Sequence, residues 1–112
     1  MSLTDIMRKF AHLEIYQKRQ MGEDFIDIAV YNRDMPAWQD IMLEIFGEAV
    51  KPAGVDPTDE HQELTRPYNG ICADQTLFFK ETGGKALLAM FWPWQEDPYT
   101  TIKIGLYNKP SV

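Results

Sequence analysis

The last part of the chain constrains the fold most strongly. Residues 71 to 107 contain three apolar, aromatic-rich runs, separated by Thr82-Gly83-Gly84 and by the segment from Pro93 to Pro98. β-Branched and aromatic residues favour strands, and breaks of a few residues suit hairpins, because parallel strands need much longer crossovers. The three runs therefore predict consecutive antiparallel strands.

The middle of the chain predicts an amphipathic helix. Its apolar residues recur at helical spacing, and they are Trp38, Ile41, Met42, Ile45, Phe46 and Ala49. Asp34 is placed to cap this helix, Pro36 lies in its first turn, and Pro52-Ala53-Gly54 ends the pattern. We expect the helix to pack across the sheet, so that Ile41→Asp unfolds the protein.

The first 31 residues predict a helix and two strands. The helix begins at Thr4-Asp5, and one face carries Leu3, Ile6, Met7, Phe10 and Leu13. The pattern fails beyond Leu13, so we expect the helix to end near Ala11 and residues 13–19 to pair with 25–31. In the second strand, Ile26, Ile28 and Val30 alternate on one face. A single helix from Thr4 to Gln20 is the alternative.

Residues 50 to 70 form the longest irregular connection. Within it, Asp56-Pro57-Thr58-Asp59 reads as a cap, a first-turn proline and an acidic first turn, which predicts a short helix to about Leu64. The whole pattern predicts one α+β domain spanning residues 1–112. It has a single antiparallel sheet of about five strands, in the order β-β-α-β-β-β after an N-terminal helix, with helices packed on the sheet.

Composition narrows the classes of partner. The 112 residues carry a net charge of −6, and residues 23–64 hold eleven Asp/Glu against two Lys/Arg, so we expect no nucleic-acid partner. No apolar run approaches the roughly 20 residues that cross a bilayer, and no secretory signal is recognisable. We therefore expect a cytoplasmic protein without a membrane partner, in agreement with its single cysteine, Cys72.

Catalytic and metal-binding patterns are weak. The acidic group Asp56, Asp59, Glu60, His61 and Glu63 matches no known metal-ligand spacing and is typical of a solvated helix start. No motif positions His12 or His61 beside Cys72, which is typical of a small buried side chain at the start of a strand. We expect no metal or other cofactor and regard a catalytic role as unsupported.

Aromatic residues are the best functional lead. Trp92 and Trp94 flank Pro93 where a strand ends, and Tyr99 follows nearby. Such side chains suit interfaces and ligand pockets, although they can also simply close one end of the core. The favoured interpretation is a non-catalytic interaction module that forms a homodimer. The alternative is a pocket for a small apolar or aromatic molecule, rimmed by Tyr68, Trp92, Trp94 and Tyr99.

Overall fold

An antiparallel five-stranded sheet organises the chain in the computed structural model, which describes residues 2–108. Along the chain the elements are α1 (Leu3–Lys9), β1 (Ile15–Met21), β2 (Phe25–Tyr31), α2 (Met35–Phe46), α3 (Asp59–Leu64), β3 (Thr76–Thr82), β4 (Lys85–Pro93) and β5 (Tyr99–Asn108). Two short 3-10 turns cover Asn32–Asp34 and Arg66–Tyr68. The predicted α+β class, N-terminal helix and strand pairs are confirmed.

The strand order is β1-β2-β5-β4-β3, with every neighbouring pair antiparallel. The last strand therefore lies in the centre, where its register pairs Phe25 with Gly105 and Tyr31 with Tyr99. β1 and β3 form the two edges. The local sequence pattern did not predict this order, because nothing in a strand's own residues specifies that β5 inserts beside β2.

The first face of the sheet carries the main core. From the helices, α1 contributes Leu3 and Ile6, and α2 contributes Trp38, Met42 and Ile45, all buried. Phe10 stacks on Trp38 with ring centroids 4.2 Å apart. The sheet supplies the alternating residues Ile26, Ile28, Val30, Phe78, Leu87, Ala89, Phe91, Ile102 and Ile104. Since each large buried side chain contributes about 2 kcal/mol of transfer free energy, α2 anchors the fold as predicted.

The second face is covered over only part of its area. Ile71, Leu77, Leu88 and Met90 form a smaller buried cluster there, with Tyr68 packed against it. The segment that includes α3 is held down by Tyr107, whose hydroxyl donates to the Leu64 carbonyl at 2.6 Å. The segment that includes α3 and Tyr68 covers β3, β4 and the end of β5. It leaves the side chains at the β1–β2 side of this face more accessible to solvent.

A buried lysine fixes the long connection between α2 and β3. Lys51 is 0% exposed, and its ammonium donates to the carbonyls of Pro52 at 3.0 Å, Ala73 at 3.0 Å and Gln75 at 2.5 Å. Its backbone also pairs with Leu77 of β3. All three ammonium hydrogens thus have acceptors, which is the condition under which a charge is tolerated in a protein interior.

Several boundaries differ from the sequence predictions. α1 begins after Ser2 rather than at Thr4, because the Ser2 hydroxyl accepts from the Asp5 N–H while the Asp5 carboxylate accepts from the Ser2 N–H. The alternative of one helix to Gln20 is wrong, since residues Ile15–Met21 form β1. α3 is capped by Thr58 and not by Asp56, because Thr58 and His61 form the reciprocal cap.

Two further corrections concern α2 and Cys72. Asp34 stands at the N-cap of α2 without a side-chain capping bond, because it belongs to the preceding 3-10 turn, and α2 ends at Phe46, where Gly47 adopts φ +80°. Cys72 was expected to be buried at a strand start, which is wrong: it is exposed. Its N–H donates to the Gln75 side chain at 2.8 Å, so the chain turns there and β3 begins only at Thr76.

Candidate interaction surface

The less protected part of the second face presents four aromatic rings that are connected through contacts of Tyr16 and Tyr99. We call Tyr16, Tyr31, Trp94 and Tyr99 the aromatic tetrad. Alternation in β2 and β5 directs Tyr31 and Tyr99 to this face, since Val30 and Thr100 point to the other. Tyr16 reaches it from the edge strand β1, and Trp94 from the residue directly after β4.

Tyr16 and Tyr99 form the centre of the tetrad. Their rings stack with centroids 3.9 Å apart and an interplanar angle of 10°. Tyr31 and Trp94 meet Tyr99 edge to face at 5.6 and 5.3 Å. Burial, followed by the neighbouring Tyr16, raises the pKa of Tyr99. Tyr16 nevertheless remains 46% exposed, so part of its ring faces solvent.

A polar network supports the tetrad from the sheet. Arg19 donates to the Asp27 carboxylate at 3.1 Å and to the Thr101 hydroxyl at 2.6 Å. The Trp94 indole N–H donates to the same hydroxyl at 2.8 Å. Thr101 is buried, so these bonds fix the orientation of both Trp94 and Arg19, and the guanidinium lies 6.0 Å from the Trp94 ring.

The second arginine beside the tetrad is also paired within the chain. Arg33 lies over the Tyr31 ring at 4.2 Å, which is a cation–π geometry. Its guanidinium contacts the carboxylates of Glu14 at 3.3 Å and Asp34 at 3.9 Å. Both arginines of this surface therefore have carboxylate partners, and neither offers an unpaired positive charge to a binding partner.

Lys103 differs from these arginines. Its ammonium lies 3.6 Å from the centre of the Trp92 ring, and among the described residues no hydrogen-bond acceptor or carboxylate is within bonding distance of it. Burial lowers the pKa of Lys103, Asp27 opposes this shift, and Arg19 adds to it. The indole N–H beneath it is also buried without a partner in the described structure.

The structure places the four sequence-predicted site residues on the same face of the sheet but not in one group. Trp94 and Tyr99 touch within the tetrad. Trp92 is partly buried under Lys103 and beside the smaller cluster. Tyr68 stacks on Phe25 at 5.1 Å, and burial raises its pKa to about 12. Tyr68 therefore belongs to the covered end of this face.

Sequence reasoning missed Tyr16, Tyr31, Arg19 and Lys103 as members of this surface. Arg19 and Thr101 are 82 positions apart in the chain, and their contact depends on the insertion of β5 between β2 and β4. The alternation of β2 did place Tyr31 opposite the core. That alternation was the one available signal, and it did not identify which neighbours Tyr31 would meet.

One shallow groove accompanies the surface. It has a volume of about 250 Å³ and is lined by Tyr31, Arg33, Pro98 and Tyr99. A second groove, of about 240 Å³, lies on the first face near the N-terminus of α2, where Phe91 and Thr100 line it. Within residues 2–108 no three His, Cys, Asp or Glu side chains are grouped closely enough to hold a metal ion. The same residues include no helix that is long and apolar enough to span a bilayer.

Comparison with known proteins adds no family. No family model, no curated protein and no solved structure matches this chain.

Proposed function

We propose that the protein is a non-catalytic interaction module that forms a homodimer through the aromatic tetrad. The observation that carries this proposal is the Tyr16–Tyr99 stack, in which Tyr16 is 46% exposed and Trp94 packs edge to face against both rings. Tyr, Trp and Arg are the residues that most often dominate binding energy at protein interfaces. Ordering them in advance reduces the entropy lost on association.

The edges of the sheet are poor alternatives as an interface. At β3, the backbone of Leu77 is already bonded to Lys51, with its N–H donating to the Lys51 carbonyl at 2.9 Å. At β1, the pairing register shifts twice, and Lys18 and Arg19 occupy the middle of the strand. Irregular, cationic edges disfavour strand addition, and two copies of β1 paired antiparallel would bring these cations together. This favours the face over the edges.

Charge also favours a second copy on this face. The chain carries −6 overall, so two copies repel each other at most orientations. Beside the tetrad, Arg19 is paired with Asp27, and Arg33 with Glu14 and Asp34. Because cations and carboxylates are paired on this surface, approach through it costs less electrostatic free energy than approach through the acidic remainder. We propose neither nucleic acid nor membrane as a partner.

Light scattering on two matched variants tests the proposal. Tyr16 is 46% exposed in the tetrad, and Leu43 is 45% exposed on the outer side of α2. We expect wild type and Leu43→Ala to be dimeric at micromolar concentration and Tyr16→Ala to be shifted towards monomer. Thermal melts establish that both variants are folded. Equal behaviour of the two variants would contradict the assignment of the interface to the tetrad.

Binding of a small apolar or aromatic ligand is the second candidate function. The sequence predicts its pocket to be rimmed by Trp92, Trp94, Tyr99 and Tyr68. One observation favours it: the groove beside Tyr99 is lined by two tyrosines, an arginine and a proline. Its volume of about 250 Å³ is below the range of roughly 300–1,000 Å³ typical of ligand pockets, which ranks this candidate second. Tryptophan fluorescence that stays constant across a panel of aromatic metabolites would remove it.

We also propose that the protein acts in the cytoplasm. Its one cysteine, Cys72, is an exposed free thiol, which is the form that a reducing compartment maintains. Labelling of Cys72 in intact cells by a membrane-permeant thiol reagent, without labelling by an impermeant one, would support this location. Labelling by both reagents would contradict it.

A further inference from the structure

Among residues 2–108, Lys103 is the cation of the second face for which no ion pair or hydrogen bond is found. Its ammonium is held over the Trp92 ring, and among residues 2–108 no carboxylate oxygen lies within 4.0 Å of it. Asp27 stands opposite Lys103 in the register of β2 and β5, but its carboxylate is bonded to Arg19. A partly desolvated ammonium in this position can accept a carboxylate from outside the chain.

Asp97 carries the charge opposite to that of Lys103 and lies on the other side of the tetrad from it. It is exposed in the turn between β4 and β5 and makes no ion pair with any described residue. It is close enough to Tyr99 to contribute to the raised pKa of that hydroxyl, after burial and the two neighbouring tyrosines. Along the chain, Asp97 precedes Tyr99 by two residues, and Lys103 follows it by four.

We propose that, in the homodimer, Lys103 of each copy forms an ion pair with Asp97 of the partner subunit. The inference rests on the proposed dimer through the tetrad. In a two-fold symmetric contact, if residue i meets residue j, then j also meets i. A two-fold axis that lies between the two packed faces and passes over β5 near Thr100, perpendicular to the strand, places Asp97 of one copy opposite Lys103 of the other. Lys103 lies three residues from that axis, or roughly 10 Å along β5, and Asp97 lies three residues to its other side, in the turn that precedes β5.

Charge reversal provides the test. Lys103→Glu places two like-charged pairs in a homodimer, and so does Asp97→Lys. A mixture of the two variants restores both opposite-charge pairs in the heterodimer. The controls are Lys85→Glu and Asp40→Lys, which make the same changes of net charge at exposed positions away from the tetrad. Native mass spectrometry distinguishes heterodimer from homodimers, because the two variants differ in mass.

We expect each single variant to weaken homodimerisation at least about tenfold, which corresponds to about 1.4 kcal/mol. The mixture should give predominantly heterodimer, whereas the control pair should retain wild-type homodimerisation. A dimeric wild type whose Lys103→Glu and Asp97→Lys mixture shows no excess of heterodimer would overturn the ion pair and leave the proposed interface standing. A monomeric wild type would instead refute the proposed function.

A neutral pair keeps the inference testable if Lys103→Glu does not fold. Lys103→Gln and Asp97→Asn should each weaken the dimer, and the double variant should be little weaker than either single variant, because both remove the same interaction. Fully additive losses would overturn the proposed pairing.

Discussion

Replacement of Lys51 by methionine tests how the long connection is held. Methionine has a similar length but no ammonium, so the carbonyls of Pro52, Ala73 and Gln75 lose their common donor. Each hydrogen bond to a charged group contributes about 1.5–3 kcal/mol, and the cost of burying the ammonium offsets part of this. A buried carbonyl left without its donor costs about 1–3 kcal/mol, and loss of the desolvation penalty of the ammonium offsets part of the sum over three carbonyls, so we expect Lys51→Met to lose about 3 kcal/mol.

Urea denaturation followed by far-UV circular dichroism measures this loss. At about 4–8 °C per kcal/mol for a domain of this size, the melting temperature should also fall by roughly 15 °C. The matched control is Lys85→Met, because Lys85 is exposed at the start of β4 and should change stability by less than about 0.5 kcal/mol. If Lys51→Met were as stable as Lys85→Met, the carbonyl cluster would not be a stabilising feature, and this reasoning would be refuted.

Three further predictions concern the core and the covered end of the second face. Met42→Ala should lower the free energy of unfolding in urea by about 2–5 kcal/mol, whereas Leu43→Ala should leave it almost unchanged. The reason is that Met42 is 0% exposed and its neighbour Leu43 in α2 is 45% exposed, and equal losses would contradict the described packing. A methyl group at Gly105 would overlap the Tyr68 ring and hydroxyl, so Gly105→Ala should destabilise by about 1–3 kcal/mol, and by less in a Tyr68→Ala background. Because the folded state raises the Tyr68 pKa from 10.0 to about 12, the stability from its neutral hydroxyl is fully present below pH 10 and is lost as pH rises towards 12. Tyr68→Phe should therefore show a smaller loss of stability over that interval, and an unchanged slope would argue against the shift.

The sequence predicted those parts of the fold that depend on local periodicity. The spacing from Trp38 to Phe46 identified α2, although the helix stops at Gly47 and Ala49 lies beyond it. The alternation of Ile26, Ile28 and Val30 identified β2 and its buried face correctly. Both patterns repeat within a single element, so neither requires knowledge of its neighbours.

The interaction surface depends on neighbours that are distant in sequence. Thr101 accepts hydrogen bonds from Arg19 and from Trp94 only because β5 lies between β2 and β4. The position of Trp94 after Pro93 identifies it as a candidate site residue. The sequence also predicts that Trp94 shares a pocket rim with Tyr68, but Tyr68 packs against Phe25 instead. Without the strand order, the sequence could identify candidate aromatic residues but not which of them meet.

Similarly, nothing in the sequence around Lys51 distinguished it from a surface lysine. Its burial results from carbonyls more than 20 residues later in the chain, those of Ala73 and Gln75, which turn back towards it before β3 begins. A buried ammonium of this kind becomes visible only when the path of the connecting segment is known.

Sedimentation equilibrium of the wild-type protein tests the central claim most directly. The chain has a mass of 13.0 kDa, and association through the Tyr16–Tyr99 surface predicts a fitted mass approaching twice that value at tens of micromolar protein. A fitted mass that stays at 13.0 kDa up to several hundred micromolar would contradict the claim that this face joins two copies of the chain.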